Sequence, residues 1–321
     1  MNASKTSKFL SSDLMGYGGN AAYIAQDVVL LSSLTVTETL QFACKLKFLP
    51  FKKNQNLSKD EMDTFISKTI DYLGLSNCKD TLVGGSSLMN KSGGSKGGQI
   101  SGGQKKRLAI GLELMSQPSL LFMDEVTSGL DATSAYQVFG IIHRLSQLGH
   151  SIIITVHQPS SRLFTMMREY GYFMMILQRG RTMYFGKAMD SMSYFEDTLN
   201  VRLPERVNPI DYYLDIVNDD FTKSVQSEES QGMSSLEIHS KFRDHLQAQI
   251  LEDIEDINRA AQRESVGRDL KMERIGGLHL LLKQTLILIH RNFRNDTRNI
   301  ATYWIRVVMY CIAQKVHVHF G

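Results

Sequence analysis

Ser101-Gly102-Gly103-Gln104 places a serine and two glycines at the head of a run with helical composition, 103–115. A helix starting there leaves backbone N–H groups, a hydroxyl and the positive end of its dipole facing outward, which favours a phosphate. Glycine lets the ligand approach the backbone closely. Leu120-Leu121-Phe122-Met123 is a short, wholly apolar run that ends in Asp124-Glu125. A carboxylate at the carboxyl end of a buried parallel strand lies where ligands bind in open α/β sheets. Asp124 suits Mg²⁺, held directly or through water, and Glu125 beside it can orient or deprotonate an attacking water. Ser128-Gly129-Leu130-Asp131 follows almost at once. His157 directly follows a second apolar run, 151–156, and as a donor can hold a terminal phosphate and sense its loss. Gln26, after a short strand-like stretch, is a further ligand for Mg²⁺ or water and the least specific of the set. Taken singly, each has an ordinary reading as a glycine turn, a solvated acid or a packed histidine. Their joint order carries the chemistry.

The elements needed to position these residues are legible as patterns. Residues 23–25, 120–123 and 151–156 read as strands, the last two continuously apolar and therefore buried on both faces. Helical spacing runs over 35–46, with Thr35 or Thr37 as cap, over 61–73 closed by Gly74, over 103–115, over 136–148 and over 278–290. A hairpin is expected over 172–185 around Gln178-Arg179-Gly180. Alternation of helices with short apolar strands implies an α/β fold with a parallel core sheet. Residues 1–20 and 92–98 read as irregular, 219–235 as a polar linker, and 236–262 as an amphipathic helix whose stripe is a packing face.

Composition narrows the classes. Thirty-six Lys and Arg against 33 Asp and Glu give a net charge of +3, too close to neutral to imply a nucleic-acid partner. The three cysteines, Cys44, Cys78 and Cys311, lie far apart and form neither a disulfide framework nor a paired metal spacing. The polar start lacks the apolar core of a signal peptide. The nearest approach to a membrane helix, 300–313, is short and carries Arg306.

The four stretches together resemble the nucleotide-binding domain of ABC transporters. Ser101–Gln104 is similar to the family signature, 120–124 to its Walker B strand, and Glu125 to its catalytic carboxylate. Ser128–Asp131 resembles the D-loop, His157 the switch histidine and Gln26 the Q-loop. The runs 156–164 (VHQPSSRLF), Tyr184-Phe185-Gly186 and 208–212 (NPIDY) narrow the resemblance to the G subfamily, the white and pleiotropic-drug-resistance type. That subfamily places its nucleotide-binding domain before its membrane domain.

The resemblance implies ATP and Mg²⁺ as cofactors and a second nucleotide-binding domain as partner, in a homo- or heterodimer. It implies contacts to nucleotide from Gln26, Ser101, Gly102, Gly103, Gln104, Asp124 and Asp131, with Asp124 and Gln26 on the metal and Glu125 and His157 as catalytic groups. It also implies a parent membrane protein whose nucleotide domain lies on the cytosolic side. The expected organisation is an α/β cassette with a helical subdomain over 1–218, a polar linker and amphipathic helix over 219–270, and a connecting helix with the start of a membrane segment over 271–321.

One departure is large and another small, with a modest expected effect. No GxxxxGK[ST] run occurs in the chain; 93–98 (GGSKGG) lacks its ending and precedes the signature instead of Gln26. Val126 stands where the family usually has proline. The expectation is therefore a piece of an exporter that hydrolyses ATP negligibly alone. The alternative is a truncated half-transporter that pairs with and regulates full-length subunits. A translation ATPase lacks a counterpart to 208–212, and a chromosome-maintenance ATPase needs a long heptad coiled coil that is missing here.

Overall fold

The computed structural model describes residues 21–48, 58–84, 99–199, 204, 207–218, 237–243, 278–298 and 309. The expected linker, most of the 236–262 helix and nearly all of the 300–313 run lie outside them. The chain divides into two compact units, Met1–Thr155 with Leu270–Gly321, and Val156–Asp269.

In the first unit, β1 (Ala21–Ile24), β2 (Leu120–Met123) and β3 (Ser151–Ile154) form a parallel sheet in the order β1-β2-β3. The register pairs Ile24 with Met123 and Met123 with Ile154, so all three strands end at one rim. Asp124 N–H donating to Ile24 O (2.8 Å) and Thr155 N–H donating to Met123 O (2.9 Å) carry the ladder one residue further. Side chains alternate between the two faces. Ala22, Ile24, Leu121 and Met123 pack into a core with Leu40, Leu108, Ile110 and Ile142 from the helices. The opposite row, Tyr23, Phe122 and Ile153, is in register across the sheet and exposed, so β2 and β3 are covered on one face only, where their continuous apolar runs predict cover on both.

Among the described residues, five α-helices complete this unit. In α1 (Val36–Phe48), Thr35 and Glu38 exchange side-chain-to-backbone hydrogen bonds, a capping box that settles Thr35 as the cap. Helix α2 (Lys59–Tyr72) starts earlier than apolar spacing predicts because Ser58 and Glu61 form a second capping box. Helix α3 (Gly102–Leu114) is opened by a third, between Ser101 and Gln104. Helix α4 (Ala132–Gln147) begins one turn before the expected 136, because the Asp131 carboxylate accepts from the Thr133 and Ser134 N–H groups.

Helix α5 (Leu278–Arg298) runs two turns beyond the expected end at 290 and packs against α1. Its half-buried positions, among them Ile287, Arg291, Arg294 and Arg298, share one face. Leu282, Leu286, Ile289 and Phe293 line the opposite face and are exposed.

The second unit is built on the expected hairpin, β4 (Phe173–Gln178) and β5 (Arg181–Lys187), which turns through Arg179 and Gly180, both at positive φ. Two helices that the apolar spacing does not reveal, α6 (Ser161–Glu169) and α7 (Pro209–Val217), flank it. Its core is aromatic: Phe195 stacks on Tyr213 at 4.0 Å between ring centroids, with Phe164 and Tyr184 beside them.

Candidate functional site

The site grows from the carboxyl end of β2. Asp124 leaves the strand with both oxygens engaged: the Thr155 hydroxyl donates to Oδ1 at 2.6 Å and the Tyr23 hydroxyl to Oδ2 at 2.8 Å. These bonds, Thr155 first, hold the Asp124 carboxyl below the usual carboxylate value. The same contact raises the Tyr23 phenol. Glu125 follows with φ of +42°, a left-handed backbone uncommon for a side chain of this size. Its N–H donates to Thr155 Oγ1 at 2.9 Å.

Gln26 sits two residues past β1. Its Nε2 donates to Glu125 Oε2 at 2.7 Å and, more weakly, to Ser128 Oγ at 3.5 Å. The sequence expectation placed Gln26 against metal or water. In the structure its amide nitrogen is turned to the neighbouring acid, which leaves Oε1 as the atom able to take a hard cation. Asp124, Glu125, Gln26 and Ser128 are thus brought together at one rim.

Ser101 and Gly102 at the amino tip of α3 are exposed, so the helix end faces outward and not into the core. Gln104 turns back on the tip, its Oε1 accepting from the Ser101 N–H at 2.7 Å. That is a capping role, local to the helix. Gly103 is buried beside α4: a Cβ there would lie 2.9 Å from Ser134 Cβ and Oγ. Asp131 caps α4, accepting from Ser134 Oγ at 2.6 Å, and these bonds hold its carboxyl below the usual value. His157 is exposed and belongs to the second unit.

Three participants escaped sequence reasoning. Tyr23 and Thr155 lie on alternating positions of, or just beyond, strands whose apolar character hides them. Lys106, buried in the second turn of α3, donates to the Gln26 carbonyl. Burial pushes its ammonium down, against the charges of Asp27, Glu125 and Asp124, which favour the cation.

A separate constellation joins α5 to α1. Arg298 grips Glu38 with two nitrogens, at 2.6 and 2.9 Å, and donates to Ser33 O, while Arg294 reaches Glu38 Oε1 at 2.9 Å. Burial works to raise Glu38, but the Arg298 bond, the Thr35 N–H and the two positive charges prevail and lower it. His290 and Phe42 meet edge to face at 5.6 Å. The one clue in sequence was the Thr35-x-x-Glu38 spacing, which reports the cap and not the arginines.

The donor set at the rim fits Mg²⁺. Asp124 and Gln26 offer hard oxygens, and no cluster of three or more His, Cys, Asp or Glu able to hold a metal occurs among the described residues. A cation that keeps waters and shares substrate phosphates suits so sparse a set.

A family model described as ABC transporter matches residues 5–128, and one described as ABC-2 type transporter, of the membrane-domain class, matches 157–276. The chain is 32% identical to ABC transporter G family member 13 of Arabidopsis thaliana over 92% of its own length and 44% of that protein. It is 31% identical to ABC transporter G family member 1 of Petunia hybrida over 92% of its length and 43% of the relative. ABC transporter G family member 1 of Dictyostelium discoideum is 37% identical over 61% of the chain and 23% of the relative. The chain therefore spans less than half the length of these curated relatives. A nucleotide-binding segment followed by a membrane-domain segment is the order of the G family of ABC transporters, to which this chain belongs.

Proposed function

We propose that this chain is the ATP-binding cassette portion of an ATP-driven exporter, coupling ATP binding and hydrolysis at a dimer interface to movement of a membrane domain. The observation that carries this is the Asp124–Glu125 pair at the end of the central parallel strand β2, with Gln26 bonded to Glu125 across the rim. Mg²⁺ held by Asp124 and Gln26 would screen phosphate charge there. Glu125 orients or deprotonates water, and Asp124 keeps its charge through Thr155 and Tyr23. His157 is the residue assigned to sense the terminal phosphate.

The exposed tip Ser101–Gly103 serves a nucleotide held by a second cassette. Asp131 faces the same partner, and Gln104 supports the tip by capping it. The chain has no GxxxxGK[ST] run to cradle its own phosphates. Forgoing three charge-assisted hydrogen bonds at roughly 1.5–3 kcal/mol each weakens ATP by about 10³–10⁶-fold. The 321-residue polypeptide alone is then hydrolytically incompetent, and its nucleotide role is exercised in trans.

The outward apolar stripe of α5 supports a position of this cassette against the cytosolic face of a membrane. Among the described residues no helix is long and apolar enough to cross one. Glu38, gripped from α5, is a mechanical link between that helix and the cassette.

ATP turnover by the purified chain, wild type against Glu125→Gln, tests the reading. We expect turnover at background for both, and stimulation only when an intact G-family cassette is added, lost again in Ser101→Arg. Transporter-like turnover by the chain alone, abolished by Glu125→Gln, would overturn it.

A further inference from the structure

Lys106 has no role in the nucleotide contacts assigned above, yet it is 9% exposed and carries a charge. A buried ammonium is unfavourable unless other groups compensate it. Here the compensation comes from the loop after β1 and the rim: a hydrogen bond to the main-chain carbonyl of Gln26, and the nearby charges of Asp27, Glu125 and Asp124. Because the acceptor is main chain, the bond holds the loop itself and not one rotamer. Gln26 then passes the constraint to Glu125 through its 2.7 Å side-chain bond. At the other end, Lys106 lies on the same short helix as the tip, five residues after Ser101, with Gly103 packed tightly on Ser134. A helix this short moves as a rod, so the tip cannot shift without moving Lys106.

We propose that Lys106 is a positioning residue that ties the signature tip of α3 to the Gln26 loop, so that a phosphate captured at Ser101–Gly103 is felt at the Gln26–Glu125 contact of the same chain. It rests on the nucleotide role proposed above and adds to it a route by which a partner's site influences this chain's metal rim. The charges of Asp27, Glu125 and Asp124 favour its cation, and its side chain spans from α3 to the loop carbonyl.

Hydrogen exchange of the full chain, without nucleotide, tests it in wild type, Lys106→Met, Lys106→Arg, Ser101→Ala and the Ser101→Ala/Lys106→Met double variant. In Lys106→Met we expect exchange over 21–31 to rise by about tenfold or more while 132–147 keeps its rate, because the loop alone is released. Lys106→Arg, which keeps a charged donor to the Gln26 carbonyl, should restore 21–31 to within about threefold of wild type. Ser101→Ala should loosen 21–31 when Lys106 is present and add nothing when it is replaced, since coupled sites are non-additive.

The proposal is overturned by unchanged exchange over 21–31 in Lys106→Met, by an arginine variant as loose as the methionine one, or by a Ser101→Ala effect equal in both backgrounds. Should Lys106→Met unfold the unit, Ser101→Ala decides alone: no change over 21–31 overturns the relay. With no nucleotide present, this result stands apart from the turnover assay, which can fail while the relay holds.

Discussion

Both carboxylate oxygens of Asp124 accept hydroxyl protons, from Thr155 and Tyr23, before any cation is considered. An acceptor so supplied prefers to be charged. The folded pKa is lowered, and in the unfolded chain the two hydroxyls are lost. The sign follows: the contribution to stability is complete above the unfolded pKa and is lost as pH falls through the lower folded one. Thr155→Val keeps the side-chain shape and removes the larger influence. We expect the Asp124 carboxyl, followed by carbon-13 NMR, to titrate higher in Thr155→Val and to move less in Tyr23→Phe. If neither variant moves it, the lowering has another source.

The tip of α3 shows how an element separates two glycines that look alike in sequence. At Gly103 an added Cβ would collide with Ser134 at 2.9 Å, while at Gly102 it would meet only Leu130 at 3.6 Å, an ordinary contact. Gly103→Ala therefore forces α3 away from α4 and should cost about 1–3 kcal/mol as overpacking. Gly102→Ala should be neutral or gain up to about 1 kcal/mol from helix propensity. Its consequence belongs to the exposed face where a phosphate would approach. Urea denaturation distinguishes the two, and equal midpoints would contradict the packing account. The Ser101–Gln104 capping box was readable from its spacing; the Ser134 contact was not, because it depends on where Asp131 starts α4.

At the scale of the molecule, one carboxylate fastens the long helix α5. Glu38 caps α1 through Thr35 and receives Arg294 and Arg298 on its outer side. Removing it leaves two partly buried guanidinium groups without this partner. Glu38→Ala is expected to weaken α5 docking by about 1–3 kcal/mol, reduced from the cost of a fully buried pair because both arginines are partly exposed. Trypsin cleavage after Arg294 or Arg298 should then rise several-fold. Glu38→Gln keeps a hydrogen-bond acceptor and should fall between. Cleavage unchanged in Glu38→Ala would show that Phe42 and the remaining packing hold the helix without the acid.

The sequence by itself determined the order of the residues to which chemistry is proposed, Ser101 to Gln104, Asp124-Glu125, Asp131 and His157, set among apolar strands and helices. Each of those signals is local. A cap, a strand end or a glycine turn is written within a few residues, as are the periodicities that announce β2, β3, α3 and the β4–β5 hairpin. Helices α6 and α7 were missed because so short a run holds too few apolar repeats. Only the tertiary structure decided which side chains complete the rim. Tyr23 meets Asp124 across 101 positions, Lys106 meets Gln26 across 80, and Arg298 meets Glu38 across 260. No local pattern encodes such pairs; they exist because parallel strands finish at a common edge and helices pack where their faces allow.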